Sequence, residues 1–510
     1  MIFLSILILI VAIALPSINQ NIRSILYVRI SSIIFIYAGA LAFNAFYIQS
    51  IGSGIGIYSG LFQVTTISQL LDVLILLIGS LILISWPSLN ISKVKLTENI
   101  PYAGEYSLIV LFSTFGASLL VSSADLISMY LSIELQSFGV YILTTLYRDS
   151  ESATSAGLKY FLLGSLSSCI ILLGSGLVYT YTGLTNLESI YNLISVSENT
   201  QILQGLTLGI VLIIVGYLFK VSAAPLHNWA PDVYDESPTI VTIWLTIMPK
   251  LSILIFLLEI HSQIGNSLLT IFSLSLKNLL LISSLLSLII GTIVGLAQSR
   301  IKRLLAYSTI SHIGFILLAL AINTEQAIDS FLFYIIQYSI TNLNTFLVII
   351  ALGYIIKNNS QSILGSFQDI KYITELKGLF FNNPLLSLSL TICLFSMAGV
   401  PPLLGFFSKQ FVLYSAMQSE YYFIGIIAIL VSVISASYYL KIIKVLHSTE
   451  PSDINKEIIE ESKNNLSAPT LGGVHSFMIS TLTLFILFFI LKPSILLNST
   501  QLLALSLFYY

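Results

Sequence analysis

Apolar runs about twenty residues long, such as ISQLLDVLILLIGSLILISW and NLLLISSLLSLIIGTIVGL, recur from one end of this chain to the other. A helix of that length crosses the hydrocarbon core of a bilayer. Charged residues make up 9% of the 510, against roughly 25% in a soluble domain, so lipid is the solvent for most of the chain. The net charge of −2 says little about partners, and no basic stripe points to nucleic acid, so none is expected. Cys169 and Cys393 sit far apart inside apolar runs without a C-x-x-C spacing, which argues against a metal or iron–sulfur centre. The opening MIFLSILILIVAIALPS lacks the basic stretch of a secretory signal peptide and reads as a short first helix. The glycines of IGSGIGIYSG have no following Lys-Ser/Thr, so no phosphate-cradling loop is expected.

Polar and Gly/Pro punctuation divides the runs into about fourteen spans: 2–18, 25–46, 67–86, 105–121, 126–146, 155–181, 204–230, 240–260, 278–298, 303–321, 329–355, 384–418, 421–445 and 472–491. They are numbered helices 1–14 below. The fold class expected is an all-α polytopic membrane protein. Charge tests the count, because lysine and arginine collect on one side of a membrane. Fifteen of the 21 basic residues fall at ends that follow odd-numbered helices: Arg23, Arg29, Lys93, Lys95, Arg148, Arg300, Lys302, Arg303, Lys357, Lys371, Lys377, Lys441, Lys444, Lys456 and Lys463. Only Lys277 and Lys492 fall on the opposite face, where both termini are also expected. The sizeable polar stretches, 356–383 and 448–470, belong to the basic face, and FQDIKYITELKGLFF is expected to lie at the interface as an amphipathic helix.

The remaining four basic residues, Lys159, Lys220, Lys250 and Lys409, lie inside predicted spans, as do Glu134 in helix 5 and His312 in helix 10. Gln337, Asn342 and Asn344 add polarity to helix 11. A charge at the centre of a membrane helix costs roughly 2.5–3.5 kcal/mol. Four lysines and Glu134 left unpaired would together cost on the order of 12–18 kcal/mol, as much as a whole domain's stability. One carboxylate does not serve four ammoniums, so some of the lysines are expected to be hydrated or neutral part of the time. A buried lysine beside a carboxylate is a proton site of adjustable affinity. The plainer alternative is structural ion pairing and snorkelling, which for Lys159, near the start of helix 6, is a close rival.

Helices 7 and 12 are overlong and interrupted, by Pro225 after FKVSAA and by Pro401-Pro402 after SMAGV. A proline frees the carbonyl four residues earlier, here those of Val221, Met397 and Ala398. Such groups persist in a membrane only where protein or water satisfies them, and broken helices mark ion sites in transporters. The two breaks lie five helices apart. On that spacing the chain is expected to divide into 1–104 (helices 1–3), a five-helix unit 105–260, a second unit 261–445 inverted relative to the first, and 446–510 with a polar loop and helix 14, although Lys220 precedes its break while Lys409 follows its break.

FKVSAAPLHNWAPDVYDESPT resembles the helix 7 signature of the antiporter-like subunits of respiratory complex I, and SMAGVPPLLGFFSKQFVLY the helix 12 signature. SRIKRLLAYSTISHIGF resembles the helix 9–10 turn of that family, and IELQSFGVYIL its helix 5. The likeness runs from about helix 2 to helix 14. PDVY points to one branch. So do Lys409, where a sister branch has glutamate, and the end at LLALSLFYY, where another continues into a long lateral helix. DESPT departs from the glycine-containing turn common in relatives. The resemblance implies that Glu134 modulates Lys220, that Lys250 is the central lysine and Lys409 the terminal one, and that Lys159 matches a helix 6 lysine of some members. It implies proton translocation through Glu134, Lys159, Lys220, Lys250, His312 and Lys409, with no cofactor on this chain. NADH, FMN, iron–sulfur clusters and ubiquinone are expected on other subunits. Other membrane-arm and accessory subunits of complex I and phospholipids are the expected partners. The compartment implied is the mitochondrial inner membrane, its matrix side facing the basic ends. A cation/proton antiporter of the Mrp type and a purely structural scaffold are the competing readings.

Overall fold

The computed structural model describes residues 1–15, 24–45, 54–85, 89–90, 103–147, 150–196, 200–264, 276–359, 369–448 and 470–508. Among them, 12 helices are long and apolar enough to cross a membrane, corresponding to helices 2–11, 13 and 14. Helix 1 is shorter, at 13 residues (Ile2–Ala14), and helix 12 is split into Pro384–Ala398 and Leu404–Gln418. Burial sorts the bundle. The apolar windows of helices 8, 10 and 11 (Thr239–His261, Ile301–Ile322, Glu325–Gly353) are 94%, 100% and 89% buried, whereas those of helices 6 and 13 are 39% and 33% buried. The innermost helices are therefore the ones that carry Lys250, His312 and the polar residues of helix 11. No hydrophobic effect drives helices together in lipid, so small residues set the close contacts. At the crossing of helices 6 and 7, a Cβ on Gly174 would stand 2.6 Å from the Gly209 carbonyl oxygen, so only glycine lets the backbones meet.

Two ends of the bundle can be told apart. At one, the start of helix 9 meets the start of helix 13, with Lys277 Nζ 4.8 Å from the Tyr421 ring centroid. At the other, Arg300 at the start of helix 10 pairs with Tyr372, and Phe380 lies against His447 at the end of helix 13. Among the described residues, Lys277 thus lies at the first end, and Arg300 and Lys444 lie at the second. Arg23, Lys93, Lys95, Arg148, Lys456 and Lys463 lie outside them, as do 360–368 and 449–469 of the two polar stretches.

The segment expected as one amphipathic helix takes another form. Ile301 N donates to the Lys371 carbonyl and Ile373 N to that of Ser299. A 3-10 turn, Ile373–Leu376, and a four-residue helix, Leu379–Asn382, follow, separated at Gly378 with φ +72°. The backbone is committed to the start of helix 10, and the left-handed glycine ends any continuous helix. Three further elements carried no clear sequence signal: the hairpin Ile55–Ile57/Phe62–Val64, a ten-residue helix Leu187–Val196, and a terminal helix Ser494–Phe508 packed on helix 11.

Helices 7 and 12 are both broken, and in the same way. The first half of helix 7, Thr200–Val221, ends at Ser222 with φ +66°. Ser222 N donates to Phe219 O and Ala223 N to Leu218 O. The first half of helix 12 ends at Gly399 with φ +88°, where Gly399 N donates to Ser396 O and Val400 N to Phe395 O. Both are Schellman ends, a left-handed residue closing the helix by paired backbone bonds. The second half of helix 7, Trp229–Glu236, is anchored by Trp229 Nε1, which donates to Phe219 O at 2.9 Å.

Candidate functional site

Helix 5 (Leu126–Thr145) starts at Asp125, whose carboxylate accepts from Ile127 N and from the Thr185 hydroxyl. That cap fixes the helix that carries Glu134. Glu134 Oε1 accepts from Lys220 Nζ at 3.2 Å, with the two side chains 14% and 6% exposed. Lys220 lies two residues before the left-handed Ser222, so the break in helix 7 sets where its ammonium stands. Lys250, in the middle of helix 8 (Thr239–Ile264), is 1% exposed. Its Nζ donates to Thr309 Oγ1 at 3.3 Å and stands 5.2 Å from the Tyr234 ring centroid.

Helix 10 (Ile301–Ile322) connects this region to the second break. Thr309, His312 and Phe315 follow one another every third residue, a rise of about 9 Å along one side. Thr309 holds Lys250. His312 Nδ1 lies 2.8 Å from the Tyr334 hydroxyl and its Nε2 3.3 Å from that of Tyr439. The Phe315 ring lies 5.7 Å from Lys409 Nζ. Lys409 itself, 7% exposed, donates to the carbonyls of Met397 and Ala398, both at 2.9 Å. Those are two of the carbonyls that the Pro401-Pro402 break was expected to free. An ammonium at a helix C-terminus is also favoured by the helix dipole. Among the described residues no carboxylate lies within 4 Å of Lys250 or Lys409. Helix 11 contributes Gln337, whose Oε1 accepts from Ser408 Oγ and whose Nε2 donates to Thr341 Oγ1. Asn344 Nδ2 meets Cys393 Sγ at 3.0 Å.

The structure thus gathers Lys250, His312 and Lys409 along helix 10 and pairs Glu134 with Lys220. It places Lys159 elsewhere. The Lys159 ammonium pairs with Asp232 on the second half of helix 7, and Asp232 also accepts from Arg303 at 2.7 Å. The sequence argument counted one carboxylate for four lysines; Asp232 is a second, brought within reach because the half-helix turns back beside helix 6. Arg300 pairs with Asp235 at 2.7 Å, and that carboxylate raises the guanidinium's pKa above its ordinary value. Lys302, only 3% exposed, pairs with Asp369 at 2.6 Å. The acids of PDVYDE and the bases of SRIKR were visible as complementary charge; Asp369, 130 residues from its partner Thr239, carried no signal.

Broken helices, a buried carboxylate–lysine pair and two further buried lysines define a membrane ion-carrier subunit of the antiporter-like class. Residues 123–435 match the family described as NADH:quinone oxidoreductase/Mrp antiporter, transmembrane. The chain is 53% identical to NADH-ubiquinone oxidoreductase chain 2 of Rhizopus oryzae, over 100% of both chains. It is 37% identical to the chain 2 protein of Marchantia polymorpha, over 79% of this chain and 77% of that one. In fold it resembles a chain of respiratory complex I from Thermus thermophilus (TM-score 0.74, 25% identity, 98% and 99% covered). It also resembles a chain of the Mrp complex from Dietzia (TM-score 0.78, 19% identity, 99% and 96% covered), a likeness of fold alone. The chain belongs to the NADH:quinone oxidoreductase/Mrp antiporter family of membrane subunits.

Proposed function

We propose that this chain carries protons across the membrane as a membrane-arm subunit of an NADH:ubiquinone oxidoreductase. A relative that matches the whole chain bears that enzyme's name, as does one that matches 79% of it. The observation that carries the mechanism is the burial of Lys250 and Lys409 without a carboxylate, on either side of His312. A permanently charged, unpaired lysine would cost the fold several kcal/mol. Two held this way are useful only if their protons come and go.

Protons from the basic face reach the Lys220–Lys250 region, with Lys159 on the intake side beside Asp232. A change in charge near Glu134 alters how tightly Lys220 holds its proton. From Lys250 the proton moves by Thr309, water, His312 with its two tyrosine hydroxyls, and the polar groups of helix 11 to Lys409, and leaves outward. The redox steps, with FMN, iron–sulfur clusters and ubiquinone, belong to partner subunits. The basic face is the matrix side of the mitochondrial inner membrane, both termini lie opposite, and the two breaks belong to two inverted five-helix units. The shared construction of the breaks supports that pairing.

The test is Lys250→Met in the assembled complex. The expected result is normal assembly with NADH-driven proton uptake lost. Normal pumping with poor assembly would make the chain a scaffold. Sodium–proton exchange by the isolated chain in liposomes would make it an antiporter in its own right.

A further inference from the structure

We infer that Asp369, together with Lys302, is the port through which protons from the basic face reach Lys250, along a buried stripe of threonines on helix 8. This rests on the proposed proton-carrying role of Lys250. Thr239, Thr242, Thr246 and Lys250 are spaced 3, 4 and 4 residues apart, so they share one face of the helix. The stripe rises about 17 Å from the helix start to the lysine. All four are buried, at most 4% exposed.

At the outer end of the stripe stands Asp369. One carboxylate oxygen accepts from the Thr239 hydroxyl at 2.6 Å; the other accepts from Thr239 N at 3.0 Å and from Lys302 Nζ at 2.6 Å. Its side chain is 24% exposed, whereas that of Lys302 is 3% exposed. The carboxylate is therefore the member of the pair that meets solvent. Lys302 Nζ also donates to the Ser237 carbonyl at 2.9 Å, tying the end of the broken helix 7 to the same point. At the inner end, Lys250 Nζ reaches Thr309 Oγ1.

A second observation points to water along the stripe. Among the described residues, Ser237 Oγ is buried without a hydrogen-bond partner, at the port itself. So are both amide atoms of Asn342, which is 1% exposed. Asn342 lies one helical turn beyond Tyr338, whose hydroxyl donates to the Thr246 carbonyl at 3.2 Å. Buried polar groups left without a protein partner are normally served by ordered water. Water at these two places would bridge the gaps between threonine hydroxyls that face their own helix, Thr242 toward Thr239 O and Thr246 toward Ile243 O.

The transfer is a simple proton balance. The Asp369 carboxylate takes a proton from bulk water and becomes a carboxylic acid. The proton passes along water and hydroxyls to the neutral amine of Lys250, which becomes an ammonium, and Asp369 returns to the carboxylate. A merely structural Asp369 would cap the start of helix 8, and asparagine caps a helix as well as aspartate does. Asparagine cannot take up the proton. Asparagine also leaves the buried Lys302 ammonium without its partner, so the amount of complex assembled is read beside uptake, and Asp369→Glu, which restores both the charge and the proton site, completes the comparison.

The experiment measures NADH-driven proton uptake by the assembled complex in liposomes, alongside the amount of complex assembled. The expected result for Asp369→Asn is normal assembly with uptake at least fivefold slower, and recovery of more than half the rate in Asp369→Glu. Wild-type uptake in Asp369→Asn, or equal losses in the Asn and Glu variants, overturns the port. Should Asp369→Asn fail to assemble, Thr242→Val and Thr246→Val decide: slowed uptake supports the stripe and undiminished uptake overturns it. Lys250→Met is run beside them. If it too pumps normally, the proton-carrying reading of Lys250 fails rather than the port alone.

Discussion

The Gly399→Ala substitution separates the geometry of Lys409 from the strain of the backbone around it. Gly399 has φ +88°, where an L side chain costs roughly 1–2 kcal/mol. The new Cβ would also stand 3.1 Å from Lys409 Cδ and 3.4 Å from its Nζ. The lysine must then give by a few tenths of an ångström, which disturbs its bonds to the Met397 and Ala398 carbonyls. A hydrogen bond to a charged group is worth about 1.5–3 kcal/mol, so losing one of the two amounts to roughly ten- to a hundredfold in a rate that depends on Lys409. Gly378→Ala is the control. It carries the same backbone strain at φ +72°, but its Cβ would meet only the Ser448 carbonyl, at 3.7 Å. Proton uptake by the assembled complex, normalised to complex content, should fall at least tenfold in Gly399→Ala and by less than twofold in Gly378→Ala. Equal losses in the two variants would show that strain alone matters and that the seat of Lys409 does not.

Three other outcomes are expected. Glu134→Gln and Lys220→Met should each slow proton uptake, and the double variant should be no slower than the worse single one, because the pair acts as a unit; additive losses would separate them. Tyr334→Phe removes a hydroxyl from a buried imidazole at a cost of about 1–3 kcal/mol; uptake should fall severalfold with assembly intact, and an unchanged rate would take His312 off the route. Gly405→Ala would overlap the Ser396 carbonyl oxygen where the halves of helix 12 meet; native gels should show little assembled complex, and normal assembly would mean the halves separate more freely than their packing implies.

What the sequence made legible follows from the cost of charge in lipid. Lys220, Lys250 and Lys409 stand out because each interrupts an apolar run, and the prolines identify which carbonyls are set free. The occupant of those carbonyls was not legible. Lys409 fills them because the second half of helix 12 returns past the first, and a turn of that kind leaves no periodicity to read. Asp232 was hidden for a related reason. It lies in what reads as a loop, and only the return of the half-helix brings it to Lys159 and Arg303. Asp369 bonds helices 8 and 10 from the far side of helix 11, and no local pattern relates residues 67 and 130 positions away. The terminal helix Ser494–Phe508 does not read as a span because, at 15 residues, it is shorter than the roughly twenty that cross a membrane.

The seats of Lys220 and Lys409 differ in a way that bears on direction. Glu134 offsets the first, so the pair with an occupied Lys220 carries no net charge as a whole. The carbonyls around Lys409 are dipoles, and they steady an ammonium without cancelling it. An occupied Lys409 therefore announces itself: at roughly 10 Å and an effective dielectric of about 20, it repels a second cation by about 1.7 kcal/mol. The molecule has a silent end and a loud one, and on the proposed route a hydrogen ion that reaches the loud end would discourage the next from following until it has gone.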